Sequence, residues 1–275
     1  MKTTKVIAIC NQKGGVGKTT TAASLGVGLV RAGKRTLLID ADPQGDLTTC
    51  LGWLQTDKLE NTLTSAMGKI IKKQKGNLED EILHHQEGVD LVPANLELSA
   101  MEVSLVNAIS RESVLRRYIN SVKDNYDYIL IDCMPSLGMI TVNALAAADE
   151  IIIPVQANYL PAKGMTQLLQ TIHLIKEDIN PDLKIQGILL TLVDGRTNHA
   201  KQVEQVIRQN YGEHIRIFES KIPVGVKAAE VSAKGQSLFA YDPKGAVTKA
   251  YRDFVKEVLL YGERERRRTQ AALTR

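Results

Sequence analysis

The chain has 275 residues, of which 44% are hydrophobic and 24% charged, and its formal net charge is +4 at pH 7. This composition is ordinary for a globular protein and excludes a fibrous or low-complexity chain. No apolar run approaches the length of a membrane span, and polar Asn11 and Gln12 interrupt the apolar N-terminal stretch, so we expect a cytoplasmic protein without a signal peptide. The cysteines lack the paired spacing of a metal site or a disulfide framework, and we expect Cys10, Cys50 and Cys133 to be buried as small apolar residues.

A glycine-rich segment lies between the first predicted strand and the first predicted helix. The apolar run from Val6 to Ile9 predicts a buried strand, and the Ala-rich run from Thr21 to Val30 predicts a helix. Residues 11–20 between them read N-Q-K-G-G-V-G-K-T-T. Strand, glycine loop and helix in this order are the context that a phosphate-binding P-loop requires.

The residue types in this segment suit nucleotide phosphates. Glycines can turn successive amide hydrogens toward an anion and leave room for its approach. Lys18 supplies a positive charge for the β- and γ-phosphates, and the Thr19 hydroxyl can hold Mg²⁺. The sequence therefore predicts ATP and Mg²⁺ as cofactors, with these nucleotide-binding residues in the loop: Lys13, Gly14, Gly15, Val16, Gly17, Lys18, Thr19 and Thr20.

Two acids follow the next predicted strand. The apolar run from Leu37 to Ile39 ends in Asp40, and Asp42 comes two residues later. Ligands of open parallel sheets bind beyond the carboxyl ends of the strands, so both carboxylates are expected near the P-loop. The alternative is that one or both only cap the turn after the strand.

The middle of the chain gives weaker patterns. Residues 55–87 are predicted to form a variable helical insertion with a lysine-rich, solvated face. Within them, His84 and His85 are interpreted as a solvated surface pair rather than a zinc site. A single helix is predicted from Leu96 to Val122, with Ile109 on its apolar side.

A third acid ends another apolar strand, Tyr128 to Ile131. Asp132 follows it, and then a loop that contains Pro135 and Gly138. A carboxylate in this position can hold Mg²⁺ opposite the P-loop hydroxyl, as in a Walker B motif. The loop could respond to the γ-phosphate as a switch.

Strand and helix signals alternate to the end of the chain without a long Pro- or Ser-rich break. We therefore predict an α/β fold, a single-domain P-loop NTPase with a mostly parallel twisted sheet flanked by helices on both faces. The predicted ATPase domain covers residues 1–262. A basic C-terminal tail, residues 263–275, holds five arginines and two glutamates.

One departure from the standard P-loop pattern is informative. Gln12 replaces the glycine six places before Lys18, and a second lysine, Lys13, follows it. The segment resembles the deviant Walker A family, which pairs two subunits around two ATP molecules, and within it the ParA (Soj-like) DNA-segregation ATPases. The resemblance implies that Lys13 contacts the partner's phosphates, that Asp42 orients the attacking water and that Asp40 lies near Mg²⁺ through water. Lys13, Lys18 and Asp42 are thus the predicted catalytic residues, and Thr19, Asp40 and Asp132 the predicted metal site.

The same resemblance implies an ATP-dependent homodimer that binds double-stranded DNA non-specifically on the nucleoid. It also implies a ParB-like centromere-binding partner that stimulates hydrolysis and release. Because no strong base is evident, intrinsic hydrolysis is expected to be slow. A MinD-like, membrane-associated positioning ATPase is the alternative, although Leu273 is the only large apolar residue in the tail. A nucleotide-binding regulator without hydrolysis is a third, which Asp42 and Asp132 disfavour.

Candidate DNA contacts lie in the second half of the chain. Arg196 precedes a predicted helix, where its charge opposes the helix dipole, and the resemblance implies that it holds DNA. An ordinary solvated arginine is the alternative. Lys227 stands where the family has a second arginine, and the nearby Pro223 loop is implied to lie against the adenine. The tail suits phosphate backbones or is simply a solubilising end, and its predicted DNA-binding residues are Arg266, Arg267 and Arg268.

Overall fold

An eight-stranded sheet forms the centre of the protein in the computed structural model, which describes residues 4–74, 76–157, 162–231 and 234–273. Across the sheet the strands follow the order β3-β4-β2-β5-β1-β6-β7-β8. Only the β3–β4 pair is antiparallel among the described strands. The strands are β1 (Lys5–Ile9), β2 (Thr36–Ala41), β3 (Leu83–His84), β4 (Asp90–Val92), β5 (Tyr128–Cys133), β6 (Glu150–Gln156), β7 (Lys184–Val193) and β8 (Ile217–Pro223).

Helices connect the strands and cover both faces of the sheet, which confirms the predicted fold class. Those in the described ranges are α1 (Lys18–Arg31), α2 (Asp46–Cys50), α3 (Leu63–Ile71), α4 (Leu98–Val106), α5 (Val114–Val122), α6 (Met139–Ala147), α7 (Ala162–Asp178), α8 (Asn198–Tyr211), α9 (Val226–Glu230), α10 (Leu238–Tyr241) and α11 (Ala246–Leu273). Among the described residues, no helix combines the length and the apolar character that a membrane crossing needs.

Alternate residues of each strand supply two apolar cores. On one face Ile7 and Ile9 of β1 pack in a cluster with residues of α1 and α11, and on the other Ala8 joins residues of α3 to α8. Strands buried on both faces explain the continuous apolar runs in the sequence. Helices α1 and α11 approach closely, since a Cβ on Gly28 would lie 2.5 Å from Cγ2 of Val255.

The strand register places the predicted site residues side by side. Asp40 of β2 pairs with Asp132 of β5, and Asp132 pairs with Ile9 of β1. Because these strands are parallel, their carboxyl ends meet at one edge of the sheet. The P-loop that follows β1 therefore starts beside both acids.

Two predictions for the middle of the chain were wrong. The single helix from Leu96 to Val122 is two helices, because Ser110 adopts a left-handed conformation with φ 53°, which interrupts a right-handed helix. Ile109 consequently lies 90% exposed instead of facing the core. The 55–87 segment contains a 3₁₀ turn and α3, but it continues into turns and the edge strand β3.

Side-chain environments correct two further predictions. His84 is exposed as expected, whereas His85 is only 8% exposed and packs against Trp53, with ring centroids 5.8 Å apart. Cys10 and Cys133 are buried as predicted, while Cys50 is partly exposed. Cys50 is the last residue of α2, and His85 directly follows the short edge strand β3. At the ends of such short elements the local pattern carries little information about burial.

Candidate nucleotide-binding site

The P-loop runs from the end of β1 to the first residue of α1. Gly15 and Gly17 have φ of 70° and 80°, the left-handed region that glycine adopts most easily. Apart from the adjoining residues of the loop, no atom of the described residues lies within 4 Å of the positions that a Cβ would take at Gly14 or Gly15. Buried Asn11 anchors the loop, since its Nδ2 donates to the Pro154 carbonyl at 2.7 Å. The loop is thus a fixed backbone cradle with open space beside its glycines.

The two lysines of the loop occupy different environments. Lys18 is 7% exposed, and its Nζ donates to the Lys13 carbonyl oxygen at 3.0 Å. Lys13 is exposed, and its Nζ lies 3.4 Å from Oε1 of Gln156 at the rim. One lysine of the loop is therefore buried and the other is exposed. The contact between Lys13 and a partner's nucleotide stays a prediction.

Asp132 fits a metal site because its carboxylate is buried and, among the described residues, lacks a hydrogen-bond partner of regular geometry. It is 1% exposed, and neither oxygen accepts a hydrogen bond of regular geometry from the described residues. Burial raises the pKa of Asp132 well above its usual range, and the charge of Asp40 adds to the rise. The Thr19 side chain and the charge of Lys18 lower the same pKa, but by less. A cation bound here would remove this penalty on the charged form.

Asp40 is fully buried and makes hydrogen bonds within the protein. Its Oδ2 accepts from the backbone N and the hydroxyl of Thr48, at 2.9 and 2.7 Å, and Oδ1 accepts from the Asp42 backbone N at 3.2 Å. Burial raises the pKa of Asp40 to about 7, although these hydrogen bonds lower it. Asp40 thus accepts hydrogen bonds from the turn after β2, as the capping interpretation predicted, and it also lies beside Asp132, as the metal-site interpretation predicted. The structure is compatible with both interpretations of Asp40.

Asp42 borders the cavity in front of the P-loop. One of its oxygens accepts from the backbone N of Gln44 at 3.0 Å. Burial raises the pKa of Asp42, whereas the Gln44 hydrogen bond and the charge of Lys18 lower it. Asp42 and Lys18 both line the cavity. A carboxylate in this position can accept a hydrogen bond from a water bound in the cavity.

The cavity in front of the P-loop has a volume of about 430 Å³, within the usual range for a ligand site. The P-loop and Asp42 contribute polar groups to its lining, and the lining residues from β7, β8, α9 and α11 are mostly apolar. Its lining includes Gly14, Gly15, Gly17, Lys18, Thr19, Thr20, Asp42, Pro135, Thr191, Leu192, Ile222, Pro223, Val247 and Tyr251. Of the residues predicted to bind the nucleotide, Lys13 and buried Val16 do not line this cavity.

Several contacts at the site were missed from the sequence. The Thr191 hydroxyl donates to the Val16 carbonyl at 2.8 Å, and the hydroxyls of Thr21 and Tyr251 lie 3.1 Å apart. These pairs join residues 175 and 230 positions apart in the chain. No local pattern indicates such partners.

Two of the residues predicted to contact DNA, Arg196 and Lys227, follow the carboxyl ends of β7 and β8. Arg196 is 89% exposed, and its guanidinium forms a bidentate pair with Asp194, at 2.9 and 3.0 Å. The Asp194 carboxylate compensates the charge of Arg196 within the turn. The argument from the helix dipole did not include this local partner. Lys227 is exposed on α9, and its Nζ lies 3.0 Å from Asp242. The contact of Arg196 and Lys227 with DNA stays a prediction.

The predicted basic tail continues α11 as a helix through Leu273. Glu265 pairs with Lys184, the first residue of β7, at 3.0 Å, so this end of α11 lies at the amino edge of the sheet. Arg196 lies beyond the carboxyl edge of the same ten-residue strand, which at about 3.3 Å per residue spans roughly 33 Å. Arg267 is exposed, and the side chains of Arg266 and Arg268 lie outside the described set. The tail and the Arg196 turn are therefore separate surfaces.

This geometry fits a nucleoside triphosphate with Mg²⁺. The glycine backbone and Lys18 could meet the phosphates, the apolar part of the lining suits a base, and Asp132 with Thr19 could supply oxygen ligands for the cation. In the described part of the chain, no group of three or more His, Cys, Asp or Glu side chains could hold a metal ion by itself. Mg²⁺ commonly completes its shell with water and substrate phosphates, so a sparse site is expected.

Known proteins match this chain along most of its length. A family model described as an AAA domain matches residues 4–185. The sporulation initiation inhibitor protein Soj of Bacillus subtilis is 41% identical over 94% of this chain and 99% of its own. The chromosome partitioning protein ParA of Myxococcus xanthus is 42% identical over 93% of this chain and 88% of its own. The structure of cobyrinic acid a,c-diamide synthase from Mycobacterium smegmatis with bound ATP analog and magnesium is 35% identical, covers 94% and 96% of the two chains, and gives a TM-score of 0.82.

The fold and the site define a P-loop ATPase of the deviant Walker A type. The chain belongs to the ParA/Soj family of chromosome-partitioning ATPases. The family and the ATPase activity predicted from the sequence are thereby confirmed. The predicted cofactors, ATP and Mg²⁺, agree with the ligands of the mycobacterial structure.

Proposed function

We propose that this protein is an ATP-driven switch in DNA partition. Two subunits close around two ATP molecules, the dimer binds DNA non-specifically on the nucleoid, and hydrolysis releases it. The observation that carries the proposal is the pair of P-loop lysines, one buried in the loop and one exposed at its rim, in a chain 41% identical to Soj over nearly its whole length.

The hydrolytic step follows from the residues around the cavity. Lys18 and the glycine amides bind the phosphates, and Lys13 of the other subunit adds a second cation. Asp132 and Thr19 hold Mg²⁺, which neutralises charge on the transferred phosphoryl group. Asp42 orients the attacking water. Without a stronger base, we expect intrinsic turnover well below the roughly 1–100 s⁻¹ that is typical of kinases.

Release is assigned to a partner protein of the ParB type that binds its own centromere site. Slow intrinsic hydrolysis gives the ATP-bound dimer time to remain on DNA, and stimulation by the partner ends that state. DNA binding is assigned to Arg196 and Lys227, which are exposed beyond the carboxyl edge of the sheet, and to the arginines of α11. Two subunits would double the number of phosphate contacts and increase the avidity for DNA.

The experiment measures binding to random-sequence duplex DNA and to anionic liposomes with ATP, with ADP and without nucleotide, at several salt concentrations. We expect retention on DNA that requires ATP and weakens as salt rises. Arg196→Ala should lose most of it. Arg208→Ala is the matched control, since Arg208 of α8 also pairs with a carboxylate, Glu204, at 3.0 Å.

Two results would overturn the proposal. ATP-dependent retention on liposomes without retention on DNA would support the MinD-like alternative. Equal DNA binding with ATP, with ADP and without nucleotide would remove the switch and leave only a basic ATPase.

A further inference from the structure

Leu192 holds a backbone conformation that its side chain disfavours. Its φ is 50°, in the left-handed region, where a Cβ crowds the neighbouring carbonyl oxygen. Among the described residues other than glycine, only Lys73 and Ser110 share a positive φ. Strain of this kind persists where the surrounding structure holds it, and it concentrates at functional sites.

The sheet is irregular at the same place. The register between β7 and β8 shifts between Leu190 and Val193, so β7 is bulged where Leu192 lies. Leu192 lines the nucleotide cavity, and the Val193 carbonyl accepts from the backbone N of Val224 at 3.3 Å. Bulges beside binding sites redirect the chain that follows them.

The residue before Leu192 is tied to the P-loop. The Thr191 hydroxyl donates to the Val16 carbonyl at 2.8 Å in a buried hydrogen bond. A Cβ on Gly17 would lie 3.9 Å from Cβ of Thr191. A displacement of the phosphate loop therefore reaches Thr191 directly.

The residues after Leu192 form one compact turn. The Asp194 carbonyl accepts from the backbone N and the hydroxyl of Thr197, at 3.1 and 3.0 Å, and its carboxylate holds Arg196. Thr197 in turn caps α8 by accepting from the backbone N of Ala200. Because it is bonded internally, this turn moves as a unit with the start of α8.

We propose that Leu192 is a positioning residue that couples the nucleotide cavity to the turn carrying Arg196. A nucleotide against Leu192 and the P-loop changes the balance between left-handed and extended backbone at this residue. That change swings the Asp194–Thr197 turn and thereby sets the direction of Arg196. The consequence for DNA rests on the function proposed above, whereas the motion of the turn does not.

Two substitutions separate the backbone from the side chain. Leu192→Val keeps an apolar side chain but disfavours the left-handed region, and Leu192→Asn removes the apolar side chain but tolerates that region. Ser110→Val is the matched control, because Ser110 has φ 53° and does not line the cavity. If Leu192→Val does not fold, Leu192→Gly replaces it, since glycine has no preference for either conformation.

The first measurement is hydrogen–deuterium exchange of the amides of residues 193–198, with Mg²⁺ and saturating ATPγS or ADP. We expect exchange in the wild type to differ between the two nucleotides. The difference should disappear in Leu192→Val and persist in Leu192→Asn and Ser110→Val. Loss in Leu192→Asn with retention in Leu192→Val would assign the role to side-chain packing and overturn the proposal, as would a wild type that shows no difference.

The second measurement is the affinity for random-sequence duplex DNA under the same two conditions. We expect the ratio of affinities to be roughly tenfold or more in the wild type, within the usual range of allosteric coupling, and close to one in Leu192→Val. If the exchange results are as expected but no variant or wild type binds DNA, the coupling stands and the proposed function fails. If wild type and Leu192→Val give the same large ratio, the coupling is refuted and the function stands.

Discussion

The two lysines of the phosphate loop lie in different environments, and in the proposed dimer each would have its own role. Lys18 is buried and bonded to the loop backbone, so its charge serves the nucleotide of its own subunit. Lys13 is exposed at the rim, where a charge adds little to a site that already holds one lysine. We therefore assign ATP binding to Lys18 and dimer closure to Lys13.

Lys13→Ala should weaken ATP-dependent dimerisation by at least about tenfold, since removing one member of a desolvated charge pair is costly. Nucleotide affinity of the monomer should change much less. Light scattering after size exclusion with ATPγS and titration with a fluorescent ATP analogue measure the two effects. Lys256→Ala, on the surface of α11, is the control. Equal losses of dimerisation and nucleotide binding would place Lys13 in its own subunit's site.

Glu150 gives a pH-dependent prediction away from the nucleotide. Its side chain is 2% exposed and pairs with Lys5 at 2.8 Å, and burial raises its pKa although Lys5 lowers it. A raised carboxyl pKa means that the folded state holds the proton more tightly than the unfolded chain. The contribution to stability is therefore present below the unfolded value, near 4.5, and is lost as pH rises through the folded pKa.

As pH rises from about 4.5 toward neutrality, we expect the free energy of unfolding to fall less in Glu150→Gln than in the wild type, because glutamine does not titrate. The difference should not exceed about 1.4 kcal/mol per pH unit, which is the most that one group can contribute. Urea unfolding at a series of pH values measures the slope. Identical slopes in the two proteins would show that the pKa of Glu150 is not raised.

At the scale of elements, one side chain joins α4 to the start of α6. The Glu102 carboxylate accepts from the backbone N of Met139 and of Ile140, at 2.9 and 3.0 Å. It thus satisfies two amides that α6 itself leaves free and places a negative charge at its N-terminus. The loop that follows Asp132 ends at this point, so Glu102 also fixes one end of the predicted switch loop.

Glu102→Ala should lower the free energy of unfolding by about 1–2 kcal/mol, the usual cost of losing an N-terminal cap. Chemical denaturation measures it. Exposed Glu97 precedes α4, the helix that carries Glu102, and its side chain forms no cap, so Glu97→Ala should stay within about 0.5 kcal/mol of the wild type. A loss in Glu102→Ala no larger than that of the control would mean that water replaces the cap at no cost.

At the scale of the whole molecule, α11 reaches from the nucleotide cavity to the opposite edge of the sheet. Tyr251 of α11 lines the cavity, while Glu265 pairs with the first residue of β7. The arginines near the end of α11 are consequently about one strand length, roughly 33 Å, from Arg196. Two separate basic surfaces on each subunit should contribute to DNA binding independently.

Replacing Arg266, Arg267 and Arg268 together with glutamine should weaken DNA binding and reduce the salt dependence, by about one unit of slope for each DNA phosphate that the protein no longer binds. When the triple substitution is combined with Arg196→Ala, the losses in binding free energy should add, because the two sites are far apart. Titrations of duplex DNA at several salt concentrations test both statements. An unchanged slope in the triple variant would indicate a solubilising end that does not bind DNA.

The sequence by itself determined the α/β class, the P-loop, the acids at the strand ends and the family, because each depends on residues that are neighbours in the chain. It also determined that Asp40 and Asp42 lie at the end of the same strand, but not that Asp40 accepts hydrogen bonds from Thr48. The break at Ser110 and the burial of His85 escaped it, since turn geometry and burial there depend on what packs around the loop.

Only the tertiary structure decided which distant residues meet. The parallel register sets Asp40 beside Asp132, the order of the strands brings Thr191 of β7 against Val16 of the P-loop, and the course of α11 separates its arginines from Arg196. The physical reason is that strand order and helix direction follow from the burial of two apolar cores by the whole chain. A local pattern marks which side chains are apolar, but not which partner will cover them.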